Sequence, residues 1–130
     1  MAFRTDIQFI ETAESALGVS LPSAWRNRLL SSNGGELFVA DEDWTIYPVF
    51  DTSDRRNASR TANHIVRENQ SAREWRGFPS AAIAIAENGS GDYLVFLPSQ
   101  SSSGTLDERV LFWSHETGIL SVVAETVEGL

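Results

Sequence analysis

His115 and Glu116, with Asp92 upstream, are the residues of this chain whose types suit acid–base chemistry. An imidazole acts as a general base when a hydrogen-bonded carboxylate fixes its tautomer, and either acid could do so. A base also needs a group to activate. The chain has no nucleophile elbow, no P-loop and no pair of histidines on one helix, and Gly89 and Gly91 are too few and wrongly placed to cradle a phosphate. The plainer reading makes Asp92 and His115 turn residues whose side chains satisfy nearby backbone groups. No catalytic residue and no cofactor is expected. Without cysteine there is no disulfide or thiolate site, and His64 and His115 stand too far apart to suggest zinc, so no metal is expected either.

Charge is the other chemistry on offer. Eighteen acids against ten arginines give a net charge of −8, which disfavours nucleic acid and anionic membrane and favours basic protein partners. A stripe of Arg56, Arg60, Asn63 and Arg67 lacks interleaved aromatics and reads as a solvated helix face. Asp41, Glu42 and Asp43 form an acidic tip, with Asp51 and Asp54 not far downstream. These five acids are the candidate partner-binding residues, and Trp44 is the candidate apolar anchor among them. If Trp44 is core instead, only the acids remain.

The elements that must position these residues follow from pattern. Alternating helix-period residues Ile7, Ile10, Ala13, Ala16 and Leu17 predict a first helix, opened by a Thr5–Gln8 capping box, with Gln8, Glu11, Glu14 and Ser15 facing outward and Gly18 closing it. Leu21-Pro22 opens a second helix that buries Trp25 and Leu29 and ends at Asn33-Gly34-Gly35. Residues 37–39 and 44–47 read as strands, the second limited by Pro48 to an edge or ended there. The loop 51–54 caps a third helix in which Ala58, Ala62, Ile65 and Asn69 share one face. Two apolar runs, 82–86 and 93–97, flank a turn carrying Asn88-Gly89 and Gly91-Asp92, and two more, 110–113 and 119–123, flank a turn ending at Gly118, so three reversals make a meander. Residues 100–104 read as a mobile loop and 124–130 as a short final helical turn. At 130 residues with 42% hydrophobic composition, one domain spanning 1–130 can bury its own core. Neither a leader's apolar region nor a membrane-length run is present, which predicts a cytoplasmic protein.

Read together, Ile10-Glu11, Glu14, Leu17-Gly18-Val19, Leu21-Pro22, Trp25, Asn33-Gly34-Gly35, Ile85-Ala86, Gly89, Gly91-Asp92, Val110, Trp113, His115-Glu116 and Gly118 resemble the SUKH superfamily, Smi/Knr type, along nearly the whole chain. The resemblance implies an α+β fold, a mostly antiparallel sheet with helices packed against it, and no known catalytic residues. Glu125-Thr126-Val127-Glu128 stands where relatives usually carry an aromatic-centred helix. Bacterial members are largely immunity proteins that neutralise a cognate protein toxin, and fungal relatives regulate cell-wall synthesis. The expectation is therefore a non-enzymatic protein-binding module, monomeric or weakly dimeric, that sequesters a cognate toxin of basic, nuclease-like character. The alternatives are a regulatory scaffold of the fungal kind and a small hydrolase using His115.

Overall fold

Proline 48 decides where the second strand of the sheet stops, and much of the architecture answers to that stop. The computed structural model describes residues 2–102 and 104–130, so Ser103 of the expected mobile loop lies outside the described residues. Strands β1 (Glu36–Val39), β2 (Glu42–Ile46), β3 (Ile83–Glu87), β4 (Tyr93–Phe96), β5 (Val110–Trp113) and β6 (Leu120–Ala124) lie side by side in chain order. Each is antiparallel to the next, which is the expected meander, now six strands wide. Helices α1 (Ile7–Leu17), α2 (Ser23–Ser31), α3 (Arg55–Arg60) and α4 (Ile65–Ala72) complete an α+β fold, and a 3-10 turn at Val127–Gly129 is the expected final turn.

The sheet is curled rather than flat. Trp44 of β2 and Phe112 of β5 meet edge to face with ring centroids 5.2 Å apart, whereas three steps across a flat sheet would separate them by about 14 Å. Register shifts between Ala84 and Ala86 and between Val110 and Leu111 are bulges, the usual means of bending a strand. On the other face Phe78, Tyr93 and Trp113 pack together at centroid distances of 5.2–6.0 Å, while Phe96, which alternation turns to the opposite side of β4 from Tyr93, meets Trp25 of α2 at 5.8 Å. Both faces of the middle strands are thus covered. That is why residues 82–86 and 93–96 are continuously apolar and wholly buried instead of alternating.

Helix α1 departs from its expected design in two ways. Thr5 does not cap it: its Oγ1 donates to Asp51 Oδ2 at 2.7 Å, and Asp6 stands at the N-cap without a side-chain bond. A buried carboxylate in need of donors outcompetes an exposed helix end. Ile10 and Ala13 are buried as expected, but Ile7 and Ala16 are exposed, and Glu14, expected outward, accepts from the Leu21 amide at 2.7 Å and pairs with Arg26. Gly18, at φ 76°, closes the helix as expected.

The single third helix expected from periodicity is two helices. Asp51 N–H donates to Thr61 Oγ1, and the amide of Ile65 donates to Pro48 O at 2.8 Å instead of to a helical carbonyl. His64 is extended and caps α4, its Nδ1 accepting from Arg67 N–H. Long-range backbone bonds therefore break a pattern that local spacing would have continued. Nor is β2 an edge: it pairs with β1 on one side and β3 on the other, and Pro48 ends it.

Where β2 runs out, two asparagines stand in for the missing strand. Asn69, fully buried on α4, donates through Nδ2 to Ala84 O and accepts from Ala84 N–H through Oδ1, both at 2.8 Å. Asn33 does the same for Val49, at 3.0 and 2.8 Å. Asn69→Ala would leave both polar groups of Ala84 buried without partners, and we expect it to destabilise the protein by about 2–5 kcal/mol. Urea unfolding measures this; a variant as stable as the parent would show that Ala84 is satisfied some other way.

Candidate partner-binding face

The acidic tip is built by the β1–β2 hairpin. Val39 pairs with Glu42, which leaves Ala40 and Asp41 as a two-residue loop with φ values of 56° and 60°. Two left-handed residues in succession make a type I′ turn, whose twist suits a hairpin but which ordinarily takes Asn-Gly. Holding Ala40 in that conformation costs about 1–2 kcal/mol.

Strand register then sorts the candidates. Leu37 pairs with Trp44 and faces the core, where the Trp44 indole N–H donates to Val39 O at 3.0 Å. Trp44 is 1% exposed, so it is a core residue and not the anchor. Phe38 pairs with Asp43, and Glu36 with Thr45, on the opposite, outward side. Phe38 is 66% exposed, the most open of the large apolar side chains among the described residues. Sequence reasoning passed over it. Alternation would have found it had the loop been assigned to residues 40 and 41, since Phe38 then falls opposite Asp43 and on the face away from Trp44.

The remaining acids divide by use. Asp41 and Asp43 are exposed on the hairpin. Glu42 is half-buried and accepts from Asn88 Nδ2 at 2.9 Å. Asp51 is buried and not available at the surface: one oxygen accepts from Thr5, the other from the Ser53 amide and hydroxyl. Burial alone would push its carboxyl up, but those donors outweigh it and hold the group below its ordinary range. Asp54 is exposed on the loop before α3, where it caps that helix by accepting from Asn57 N–H at 2.7 Å. The structure thus brings Asp41 and Asp43 together with Phe38 and Glu36, and leaves Asp51 and Asp54 on a separate loop.

Asp92 and His115 do meet, and the contact explains itself structurally. Asp92 Oδ1 accepts from the His115 backbone N–H at 3.0 Å and lies 2.7 Å from the ring Nδ1. Asn88 donates to both Glu42 and Asp92 Oδ2, so Glu42, Asn88, Asp92 and His115 form one polar strip that joins the ends of β2, β3, β4 and β5. Trp75 leans on the imidazole at 5.4 Å and donates its indole N–H to Tyr93 OH at 3.0 Å. Glu116 is exposed and takes no part in this strip. Desolvation raises the Asp92 carboxyl, but hydrogen bonds from His115 and Asn88 prevail and set it below the ordinary carboxylate range. His64, by contrast, stacks on Phe50 at 4.8 Å, and burial followed by the Arg67 charge lowers its pKa.

Two outcomes follow for this strip. Gly91 has φ 101°, and a Cβ there would stand 3.1 Å from His115 Cγ and 3.3 Å from Trp75. Gly91→Val should therefore lower the melting temperature through both strain and crowding, and a Gly91→Val protein that melts with the parent would contradict the strip's tight packing. Because the folded pKa of Asp92 is depressed, the stability it contributes is complete above the unfolded value, about 3.9, and is lost as pH falls through the lower folded value. Asp92→Asn should remove that share of the acid-side loss of stability, which unfolding followed across pH 2–6 would test (roughly the carboxylate range).

Residues 5–130 match the SMI1 / KNR4 family (SUKH-1). No curated protein matches the chain by sequence. Among the described residues no helix is long and apolar enough to cross a membrane. The match covers both the helical half and the whole meander, so the chain belongs to the SMI1 / KNR4 family (SUKH-1).

Proposed function

We propose that this protein is a non-enzymatic immunity protein of the cytoplasm, which binds a cognate bacterial toxin through the outward face of its β1–β2 hairpin and so neutralises it. The observation that carries this reading is Phe38: a large aromatic side chain left 66% exposed on a strand, with Asp43 directly opposite. Exposed aromatics set among polar residues are the usual anchors of protein interfaces, and they supply affinity when a partner desolvates them. The flanking acids act differently. In a chain of net charge −8, Glu36, Asp41 and Asp43 attract a basic surface and raise the encounter rate more than the affinity. A toxin that acts on nucleic acid needs a basic groove, and an acidic hairpin suits it. Membership of a family of binding and immunity domains supports the reading at the level of class.

The experiment pairs the protein with the toxin encoded beside its gene. Phe38→Ala should cost about 2 kcal/mol or more of binding, felt mainly as faster dissociation. The triple variant Glu36→Lys, Asp41→Asn, Asp43→Lys should slow association and flatten its dependence on salt; asparagine is chosen at 41 because it tolerates the left-handed conformation. Neither variant touches the core, so melting temperatures should stay within a few degrees of the parent. If both neutralise the toxin as the parent does, at low and at physiological salt, recognition lies on another surface.

A further inference from the structure

A cavity of about 200 Å³ opens at the foot of the same face, since Glu36 and Thr45 line it as well as the outer side of the hairpin. Gly34, Gly35, Arg4, Arg60 and Asn63 also line it. Both glycines have positive φ, and Gly34 is packed so that an added Cβ would stand 3.5 Å from Pro48 and from the Ile46 carbonyl. The Arg60 guanidinium lies 3.9 Å from the centre of the Phe3 ring. A guanidinium that lies over a ring engages it through its π face and keeps N–H groups for a two-oxygen acceptor.

Neither arginine of the pocket is paired with such an acceptor among the described residues. Among the described residues the ion pairs of arginine are Arg26 with Glu14 and Arg109 with Asp107, and neither Arg4 nor Arg60 takes part in one. Of the two acids in the lining, Asp51 has its oxygens occupied by Thr5 and Ser53, and Glu36 stands on the outward side of β1 without an ion pair to either arginine. Arg4 and Arg60 therefore both line a partly apolar pocket, and neither forms an ion pair with its two acids, Glu36 and Asp51. We infer that this pocket is a socket for a carboxylate brought by the partner, an Asp or Glu side chain held by Arg60 and Arg4 with its stem against Phe3 and Pro48. The inference rests on the function proposed above and adds the partner's chemistry: a surface basic where it meets the hairpin and carrying one acidic side chain where it meets α3. Such an arrangement also gives selectivity, because a partner lacking that acid would leave two arginines desolvated and unpaired.

Two measurements separate this inference from the reading it builds on. In the first, the protein alone is titrated with N-acetylglutamate, with N-acetylglutamine as the neutral control, while backbone amide resonances are followed. Saturable shifts at Gly34, Gly35 and Asn63 with the acid alone, abolished in Arg60→Gln, are expected; absence of such shifts would overturn the socket, whatever the toxin does. In the second, dissociation of the cognate toxin is timed. Arg60→Gln and Arg4→Gln should each speed it, Arg60→Gln by roughly thirtyfold or more and Arg60→Lys by less, with melting temperature little changed. Shifts with N-acetylglutamate but toxin dissociation indifferent to Arg60→Gln and Arg4→Gln would assign the pocket to a free small carboxylate and overturn the partner as its source. A parent protein that fails to bind the toxin at all would defeat the proposed function, and the first measurement would still decide the chemistry of the pocket.

Discussion

A buried strand edge has to find hydrogen-bond partners, and β3 loses its neighbour halfway along because Pro48 ends β2. Asn69 resolves this by presenting an amide to Ala84 with the donor and acceptor of a peptide group. The consequences spread outward. Asn69 can reach Ala84 only if α4 lies along β3, and α4 can lie there only if it starts afresh at Ile65, whose amide is taken by Pro48 O. The helix before it must then stop, and Thr61 stops it by turning its hydroxyl to the Asp51 amide and Asn57 O. Asp51, fixed in place, receives Thr5 and so ties down the N-terminal segment that walls the arginine-lined pocket. One missing strand thus determines the break between α3 and α4, the path of the loop between β2 and α3, and the cavity beside it.

A second polar device works at the end of the sheet. Glu42, Asn88, Asp92 and His115 are drawn from four different strand ends and joined by side-chain bonds of 2.7–3.0 Å. The curl of the sheet brings β2 and β5 toward each other on one face, as Trp44 and Phe112 show, and the strip ties the corresponding ends together. An imidazole whose Nδ1 and backbone N–H both serve one carboxylate oxygen has the look of a catalytic pair, yet every feature of it is accounted for by closure of the turns around β4 and β5. Recruiting Glu42 to this strip also changes the charge of the hairpin tip. It withdraws one of three tip acids from the surface and leaves Asp41 and Asp43 to carry the hairpin's outward charge.

What the sequence disclosed was local. Glycine with an obligatory left-handed conformation marked the end of α1 at Gly18 and the β5–β6 turn at Gly118, and continuous apolar runs marked β3 and β4. Trp25 and Leu29 at helical spacing were core, as they had to be. What stayed hidden depended on contacts distant in sequence. Thr5 reads as a cap until Asp51, forty-six residues on, is known to need its hydroxyl. Ala58 to Asn69 reads as one helix until Pro48 claims the Ile65 amide. The choice between Trp44 and Phe38 was subtler: an acidic tip read at residues 41–43 leaves the hairpin register unset, and only a loop at 40 and 41 puts Leu37 with Trp44 on one side and Phe38 with Asp43 on the other. The pocket was least legible of all, because it assembles the N-terminal segment, the Asn33-Gly34-Gly35 turn, β2 and α3, and an arginine stripe on a helix gives no sign of a phenylalanine from far earlier in the chain lying against it.

The division of labour within the β1–β2 hairpin bears on how one fold could serve many partners. Its inward residues, Leu37 and Trp44, are bound into the core by pairing and by the Trp44 bond to Val39 O, and a change there would be paid for in stability. Its outward residues Phe38 and Asp43 are exposed side by side, and Glu36 is exposed at the rim of the cavity, so they can vary at little cost to the fold. Exposed charge acts over about 8 Å at physiological salt and adds little to affinity once a complex has formed; an aromatic desolvated by a partner contributes on the order of 2 kcal/mol or more. Recognition through the proposed face would separate speed, set by the acids, from residence time, set by Phe38 and by whatever the neighbouring pocket holds. A new partner then requires new outward residues on the same pair of strands, and the asparagine clamp and polar strip that fix those strands need not change.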